Sequence, residues 1–152
     1  RPEFFHEIVV ALSRRGIPSV LLAGDRTRES FGFTKEDLVF VSKSEPHHLL
    51  FPRARTIVHS CGIGTSAEAL ASGVPQVPVP FANDQPDNAY RIEKLGVGRR
   101  IPWLEFSEER FFEALDEISG PSIAARAREV KNEILADDFS QSFDLALARL
   151  IK

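Results

Sequence analysis

Residues 56–70 read Thr-Ile-Val-His-Ser-Cys-Gly-Ile-Gly-Thr-Ser-Ala-Glu-Ala-Leu, and this stretch decides the fold. The β-branched run at 56–58 predicts a buried strand, and the tight segment at 61–64 separates it from a predicted helix. Thr65 and Glu68 have the spacing of a capping box, so we expect the helix to begin at Thr65. Backbone N–H groups converge where a glycine loop meets a helix N-terminus. The segment is therefore a candidate anion site.

A second polar segment follows the next predicted strand. Gly73 and Pro75 end the predicted helix, the apolar run 77–81 comes after them, and residues 83–88 read Asn-Asp-Gln-Pro-Asp-Asn. Ligands of parallel sheets bind in the crevice outside the carboxyl ends of the strands. Two strand ends that both lead into polar residues and a helix predict such a crevice. Pro78 and Pro80 lack the N–H that a central strand needs, so we expect the second strand to be short.

The glycine loop matches neither familiar phosphate-binding fingerprint. A dinucleotide motif needs a third glycine where this chain has Ala67, and a P-loop needs a lysine where this chain has Thr65. The residues alone therefore predict an anion site without naming its ligand.

Composition limits the classes of protein to which the chain can belong. Its 152 residues predict one domain, and 43% hydrophobic and 27% charged residues are typical of a soluble globular protein. A net charge of −3 gives no general attraction to nucleic acid. The single cysteine, Cys61, excludes an internal disulfide and fits a reducing, cytoplasmic compartment. No apolar run approaches the roughly 20 residues that span a bilayer.

Predicted strands alternate with predicted helices along the chain, which indicates an α/β fold with a parallel sheet. Strands are expected at 20–23, 38–41 and 97–101 besides the two already described, with a loop at 25–36. Helices are expected at 2–15, 47–51, 87–95, 107–118, 123–135 and 140–151.

The order of the polar residues resembles the donor-binding signature of family 1 glycosyltransferases. The resemblance is most specific over residues 42–102, and it rests on His59-Ser60-Cys61-Gly62-Ile63-Gly64-Thr65, Glu68-Ala69-Leu70, Gly73-Val74-Pro75-Gln76 and Asp84-Gln85-Pro86-Asp87-Asn88. Such enzymes have the GT-B fold and use nucleotide sugars. The resemblance implies that residues 1–152 are the C-terminal, Rossmann-like half, with helices on both faces of its parallel sheet. It also implies a fragment, whose N-terminal acceptor domain and first strand are absent.

The resemblance also implies a role for each matched residue. The implied donor-binding residues are His59, Ser60, Gly62, Gly64, Thr65, Glu68, Asp84 and Gln85. The glycine loop would bind the diphosphate, Glu68 the ribose hydroxyls, and Asp84 with Gln85 the sugar hydroxyls. The residues themselves leave two alternatives open. From the residues alone, Glu68 fits better as the acid of a capping box, and Asp84 fits as the N-cap of the next helix, a role that does not exclude sugar binding.

Ser60, Cys61 and the pair His47–His48 bear on the chemistry that the chain can perform. Most members of the family carry histidine where this chain has Ser60, and a hydroxyl brings no positive charge to the diphosphate. Cys61 is a small residue in a tight turn and not a nucleophile. His47 and His48 stand side by side, but four histidines and one cysteine show no zinc-ligand spacing. We therefore expect no metal and no other cofactor.

The function that the resemblance implies is inverting transfer of a hexose from a nucleoside-diphosphate sugar, expected to be a UDP-sugar, to an acceptor hydroxyl. The family's catalytic base lies in the N-terminal domain, so this chain alone is expected to be inactive and to have that domain as its partner. The alternatives are a stand-alone nucleotide-sugar-binding subunit of a split transferase and a GT-B-type nucleotide-sugar epimerase or hydrolase.

The family pattern places a further strand between residues 20–23 and 56–60. We expect these two strands not to pair directly, which leaves edges that recruit other chains. Preceding residues or a neighbouring molecule would fill the gap, in the second case as a strand-sharing oligomer.

Replacing Ser60 with histidine tests the departure from the family. His59 should point to the opposite side of its strand from Ser60. We therefore expect Ser60→His to tighten UDP binding by no more than about 1.5–3 kcal/mol, and His59→Ala to lower stability more than affinity. Affinity and melting temperature of both variants check this. If His59→Ala abolishes binding while Ser60→His changes nothing, the two positions have exchanged roles.

Overall fold

The computed structural model describes residues 2–26, 29–33 and 38–136. The helices are α1 (Pro2–Arg14), α2 (His47–Leu50), α3 (Ile63–Ser72), α4 (Gln85–Lys94), α5 (Glu108–Ile118) and α6 (Pro121–Ala136). The strands are β1 (Ser19–Leu22), β2 (Val39–Ser42), β3 (Ile57–His59) and β4 (Gln76–Pro78). Short 3-10 helices cover Glu29–Phe31, Phe51–Arg53 and Trp103–Glu105. The predicted helix at 140–151 lies outside the described residues.

The strands form two parallel pairs, as the alternation of strands and helices predicts. β1 pairs with β2, with Ser19 opposite Val39, and β3 pairs with β4, with Ile57 opposite Gln76. Within the described residues no ladder joins β1 to β3. The two strands that we expected to remain unpaired with each other therefore belong to separate sheets.

The predicted strand at 97–101 is wrong as a regular strand. The structure has only an isolated bridge between Gln76 and Gly98. In this bridge the Gln76 N–H donates to the Val97 carbonyl at 3.0 Å and the Arg99 N–H donates to the Gln76 carbonyl at 3.1 Å. One further bond follows, from the Ile101 N–H to the Pro78 carbonyl at 2.8 Å. Pro78 has no N–H to return, so the ladder breaks after one bridge. The same proline limits β4 to three residues, as expected.

Helix α1 joins the two strand pairs through one apolar face. Phe4, Ile8 and Leu12 are buried in the main core cluster with Val77 and Val79, which lie in and just after β4. Successive members of this face are four residues apart, which matches the helical period. The cluster is completed by α5, and its buried aromatic is Phe111.

A neighbouring position on α1 serves the other strand pair. Val9 is buried with Leu21 of β1 and Val39 of β2 in a second cluster. One helix therefore holds both sheets, although no β ladder joins them among the described residues.

Helices α5 and α6 follow the sequence signals closely. The Ser107 Oγ accepts a hydrogen bond from the Arg110 N–H at 3.2 Å, which confirms the predicted start of α5. The next helix begins at Pro121, in the position that proline favours. Ala127 and Val130 of α6 pack on the loop residue Cys61 and on α4. None of the described helices has the length and apolar character needed to cross a bilayer.

Candidate functional site

The turn between β3 and α3 contains a strained residue. Cys61 has φ of 67°, in the left-handed region that a side chain disfavours by about 1–2 kcal/mol. Its N–H donates to His59 Nδ1 at 3.2 Å, and its carbonyl accepts from Asn88 Nδ2 at 2.9 Å. Both polar groups of this backbone residue are thus held by side chains. Strain that the surroundings hold in place is frequent at binding sites.

Helix α3 begins earlier than the capping box predicts, so that prediction is wrong. The N-cap is Gly62, which makes no side-chain cap, and the first helical residue is Ile63. Thr65 therefore lies inside the first turn, and Glu68 lies too far along the helix to cap it. The reason is the left-handed turn at Cys61, which lets the helix start at once. The predicted end is confirmed, because Gly73 is the C-cap with φ of 74°.

The start at Ile63 determines which amides face outward. The Ser66 N–H bonds to the Gly62 carbonyl at 2.9 Å and is the first to be used within the helix. The N–H groups of residues 62–65 precede it, and such groups have no partner inside a helix. They carry the positive end of the helix dipole. The turn therefore has the features of a candidate anion site.

At two positions of this turn, Gly62 and Gly64, the packing would allow a side chain. A Cβ at Gly62 or Gly64 would meet no atom within 4 Å, and neither residue has a positive φ. Gly98 contrasts with them, because a Cβ there would lie 2.5 Å from the Gln76 carbonyl oxygen. Open space above two glycines at a helix N-terminus leaves room for a ligand to approach the backbone closely.

His59 lies beneath the turn. Its side chain is 5% exposed, and its Nε2 is 2.9 Å from Gln76 Oε1. Because Nδ1 accepts from the Cys61 N–H, Nε2 carries the proton and donates to Gln76. Burial lowers the pKa of His59, with a smaller contribution from His47 in the same direction. Both ring nitrogens are engaged inside the protein, so neither is left to contact a ligand directly.

Cys61 is inert as a nucleophile. Its side chain is fully buried, and burial raises the pKa of the thiol to about 12. The thiolate is the reactive form, and it is not populated at neutral pH. This agrees with the expected role as a small turn residue.

Glu68 is available to a ligand, because the helix start removes its alternative as a capping acid. Its side chain is 49% exposed, and its Oε2 lies 3.4 Å from His47 Nδ1. The His47 ring stacks on Phe51, with the ring centroids 4.4 Å apart. No pattern in the sequence predicts this contact between His47 and a candidate site residue.

The second loop places Asp84 at the N-cap of α4 without the cap hydrogen bond that its alternative role requires. The Asp84 Oδ2 instead accepts from Asn88 Nδ2 at 2.8 Å. Gln85 Oε1 accepts from the Phe81 and Ala82 N–H groups at 2.9 and 3.3 Å. The Gln85 oxygen is thus used within the loop, which leaves its Nε2 to donate to a ligand.

Asn88 brings the two loops together, although it is not among the site residues predicted from the sequence. One amide group spans from the Cys61 carbonyl to the Asp84 carboxylate. Its four-residue spacing from Asp84 on a predicted helix was the available signal, because such residues share a face. The contact with Cys61 had no local signal. Gln76 was missed too, although a glutamine within an apolar run indicates a buried partner.

Within the described residues, no three His, Cys, Asp or Glu side chains are arranged to hold a metal ion. The absence of metal from the function stays a prediction.

Comparison with known proteins gives a family and a fold. The family profile described as erythromycin biosynthesis protein CIII-like, C-terminal domain, matches residues 3–143. A sterol 3-beta-glucosyltransferase of Arabidopsis thaliana is 37% identical over 143 residues, which cover 87% of this chain and 22% of that relative. The chain thus spans less than a quarter of this curated relative.

Solved structures agree with the α/β prediction. The calicheamicin glycosyltransferase CalG4 matches with a TM-score of 0.81 and 26% identity, over 99% of this chain and 40% of that one. The glycosyltransferase VinC, solved in complex with dTDP, matches with a TM-score of 0.74 and 26% identity, over 86% of this chain and 33% of that one. The Rossmann-like fold of a GT-B C-terminal half is confirmed.

Acid should destabilise the fold through His59. Folding lowers the pKa of His59, so below pH about 6.5 this imidazole becomes protonated in the unfolded chain while it stays neutral in the folded chain. As the pH falls, the free energy of unfolding therefore decreases by up to about 1.4 kcal/mol per pH unit, until the pKa of His59 in the folded state is reached. His59→Gln should lose this component of the pH dependence. Urea denaturation between pH 5 and 7.5 measures it.

The control is His48→Gln, which removes an exposed imidazole and should follow the unsubstituted chain. Equal pH slopes for His59→Gln and the unsubstituted chain would contradict the buried, neutral assignment of His59.

Proposed function

The chain belongs to the erythromycin biosynthesis protein CIII-like C-terminal domain family of family 1 glycosyltransferases, and from this premise we propose that it is the donor-binding half of an inverting hexosyltransferase. An acceptor hydroxyl, deprotonated by a base of the N-terminal domain, attacks the anomeric carbon. The new C–O bond forms as the bond to the diphosphate oxygen breaks. The bonding pair and the negative charge pass to the nucleoside diphosphate. This chain's task is to bind the donor and stabilise that leaving group.

The glycine turn carries this proposal. Its outward N–H groups at residues 62–65 and the helix dipole suit a diphosphate, whose charge grows as the bond breaks. The dipole contributes about 0.3–2 kcal/mol to such charge. Gly62 and Gly64 have open space where packing does not need a glycine. The dTDP in the related VinC structure is a ligand of the same chemical class.

Glu68 is proposed to bind the ribose. A carboxylate accepts hydrogen bonds from two vicinal hydroxyls, and such charge-assisted bonds are strong. Glu68 is free of the helix cap, and His47 lies against one of its oxygens. The stacked His47–Phe51 pair holds this contact on the neighbouring α2 segment.

Asp84 and Gln85 are proposed to bind the sugar. Asp84 offers a carboxylate at the exposed start of α4, and Gln85 offers the amide nitrogen that the loop leaves unused. Both follow β4, whose parallel neighbour β3 leads into the glycine turn. The two groups of residues thus lie at the same edge of one strand pair, which is where ligands of parallel sheets bind.

Binding of UDP without metal tests this function directly. We expect the chain to bind UDP and UDP-glucose, with equal affinity in the presence and absence of a chelator. Titration calorimetry with UDP, dTDP and NAD, each with and without EDTA, provides the measurement. Binding that vanishes with EDTA, or equal affinity for NAD, would refute the proposal. Tighter binding of dTDP than of UDP would change the proposed nucleotide, and it would contradict the pair of vicinal ribose hydroxyls proposed for Glu68, because dTDP has no 2′-hydroxyl.

Gly64→Ala should separate affinity from stability. A methyl group there fills the space above the amides, so we expect UDP affinity to fall about tenfold or more, the loss of a hydrogen bond to a charged group. Stability should be unchanged or raised by up to about 1 kcal/mol, because alanine restricts the unfolded chain.

Gly98→Ala is the opposite case. The added Cβ would collide with the Gln76 backbone, so we expect the free energy of unfolding to fall by about 1–3 kcal/mol. Each kcal/mol of lost stability should lower the melting temperature by roughly 2–4 °C. If Gly64→Ala binds UDP as the unsubstituted chain does, the ligand does not approach this turn.

A further inference from the structure

Asn88 occupies a singular position between the two loops. Its side-chain nitrogen has two hydrogens, and the structure gives each an acceptor: the Cys61 carbonyl at 2.9 Å and the Asp84 Oδ2 at 2.8 Å. Asn88 is held in place by helix α4, where its own N–H bonds to the Asp84 carbonyl at 3.0 Å. Asp84 and Asn88 are therefore parts of one rigid helix start.

The bond to the Cys61 carbonyl also orients the Gly62 N–H, which Asn88 does not contact. The C=O of one residue and the N–H of the next belong to the same planar peptide unit and point in opposite directions. When Asn88 fixes the direction of the Cys61 carbonyl, it fixes the direction of the Gly62 N–H. That N–H is the first of the outward amides of the glycine turn.

The strain at Cys61 makes this control effective. A left-handed conformation at a non-glycine residue relaxes unless other contacts hold it. His59 holds the N–H side from below, and Asn88 holds the carbonyl side from α4. Without Asn88, one of these two constraints is lost.

The bond to Asp84 orients a second group, the Asp84 carboxylate. Asn88 engages Oδ2, and among the described residues the Oδ1 oxygen has no assigned bond, which leaves it for a ligand hydroxyl. A carboxylate with one oxygen fixed keeps its plane and its second oxygen in a defined direction. The same side chain thereby orients an amide for a diphosphate and a carboxylate for a sugar.

We infer that Asn88 is a positioning residue that couples the diphosphate-binding turn to the sugar-binding carboxylate. The inference rests on the proposed function and assigns Asn88 no contact with the donor. Its effect reaches UDP through Gly62 alone, and it reaches a UDP-sugar through both Gly62 and Asp84. The two ligands should therefore respond differently to its removal.

The test uses titration calorimetry of the chain with UDP and with UDP-glucose. We expect Asn88→Ala to lower UDP affinity about threefold and UDP-glucose affinity about tenfold or more, the range for a neutral and a charged hydrogen bond. In an Asp84→Ala background, Asn88→Ala should lower UDP-glucose affinity only about threefold, because the Asp84 route is already gone. Asp87→Ala is the matched control, since its side chain pairs with Arg91 on the same helix.

A ligand-free measurement separates this inference from the function itself. In the amide NMR spectrum, Asn88→Ala should shift the Gly62 cross-peak, and Asp87→Ala should not. An unmoved Gly62 amide overturns the inference whether or not the chain binds UDP. If the unsubstituted chain binds neither UDP nor UDP-glucose, the proposed function fails and the coupling fails with it.

Two further outcomes decide the remaining cases. A tenfold loss of UDP-glucose affinity that persists in the Asp84→Ala background shows that Asn88 acts on the sugar independently, which overturns the coupling. If Asn88→Ala does not fold, Asn88→Ser replaces it. Serine keeps one donor for two acceptors, so its UDP-glucose affinity should fall between those of the unsubstituted chain and the Asp84→Ala variant, and equality with the unsubstituted chain contradicts the inference.

Discussion

The left-handed turn at Cys61 is the constraint on which the rest of the site depends. A chain that leaves β3 at His59 and turns through the left-handed Cys61 can start a helix at Ile63, and so presents the first amides of that helix close to the strand end. The conformation costs about 1–2 kcal/mol, and it is held by hydrogen bonds from two directions. His59 supplies one from beneath and Asn88 the other from α4. The buried, neutral state of His59 is part of this arrangement, because a protonated ring has no acceptor for the Cys61 N–H.

The core serves this turn by fixing the elements around it. Cys61 itself lies in the cluster formed by α4 and α6, so the turn is anchored in packed side chains as well as in hydrogen bonds. β4 is fully buried against α1 and α5, and Gln76 at its start supports His59. Gly98 allows the backbone of the following segment to approach Gln76 closely. Packing therefore determines the position of the loop, while the open side of the loop consists of backbone amides and exposed carboxylates.

The sequence predicted those features whose causes are local. Strand β3, the glycine end of α3 and the serine cap of α5 all follow from patterns within a few residues. The start of α3 predicted from the capping box was wrong, because the left-handed conformation of Cys61 lets the helix begin two residues earlier, at Ile63. No local sequence pattern predicts a left-handed conformation for a cysteine. The strand at 97–101 failed because Pro78 in the neighbouring strand interrupts its partner. The contacts of Asn88 with Cys61 and of His47 with Glu68 were not predicted, because the partners are distant in sequence.

The most direct test of the site is to locate a bound nucleoside diphosphate on the chain by amide NMR. On titration with UDP, the largest shifts should fall on the N–H groups of Gly62, Gly64 and Thr65, at the open end of α3. Amides that already bond within the fold, such as that of Val79 to the His59 carbonyl, should move little. Shifts confined to the apolar cleft between Val20, Phe40 and Leu49 would show that the glycine turn is not the anion site.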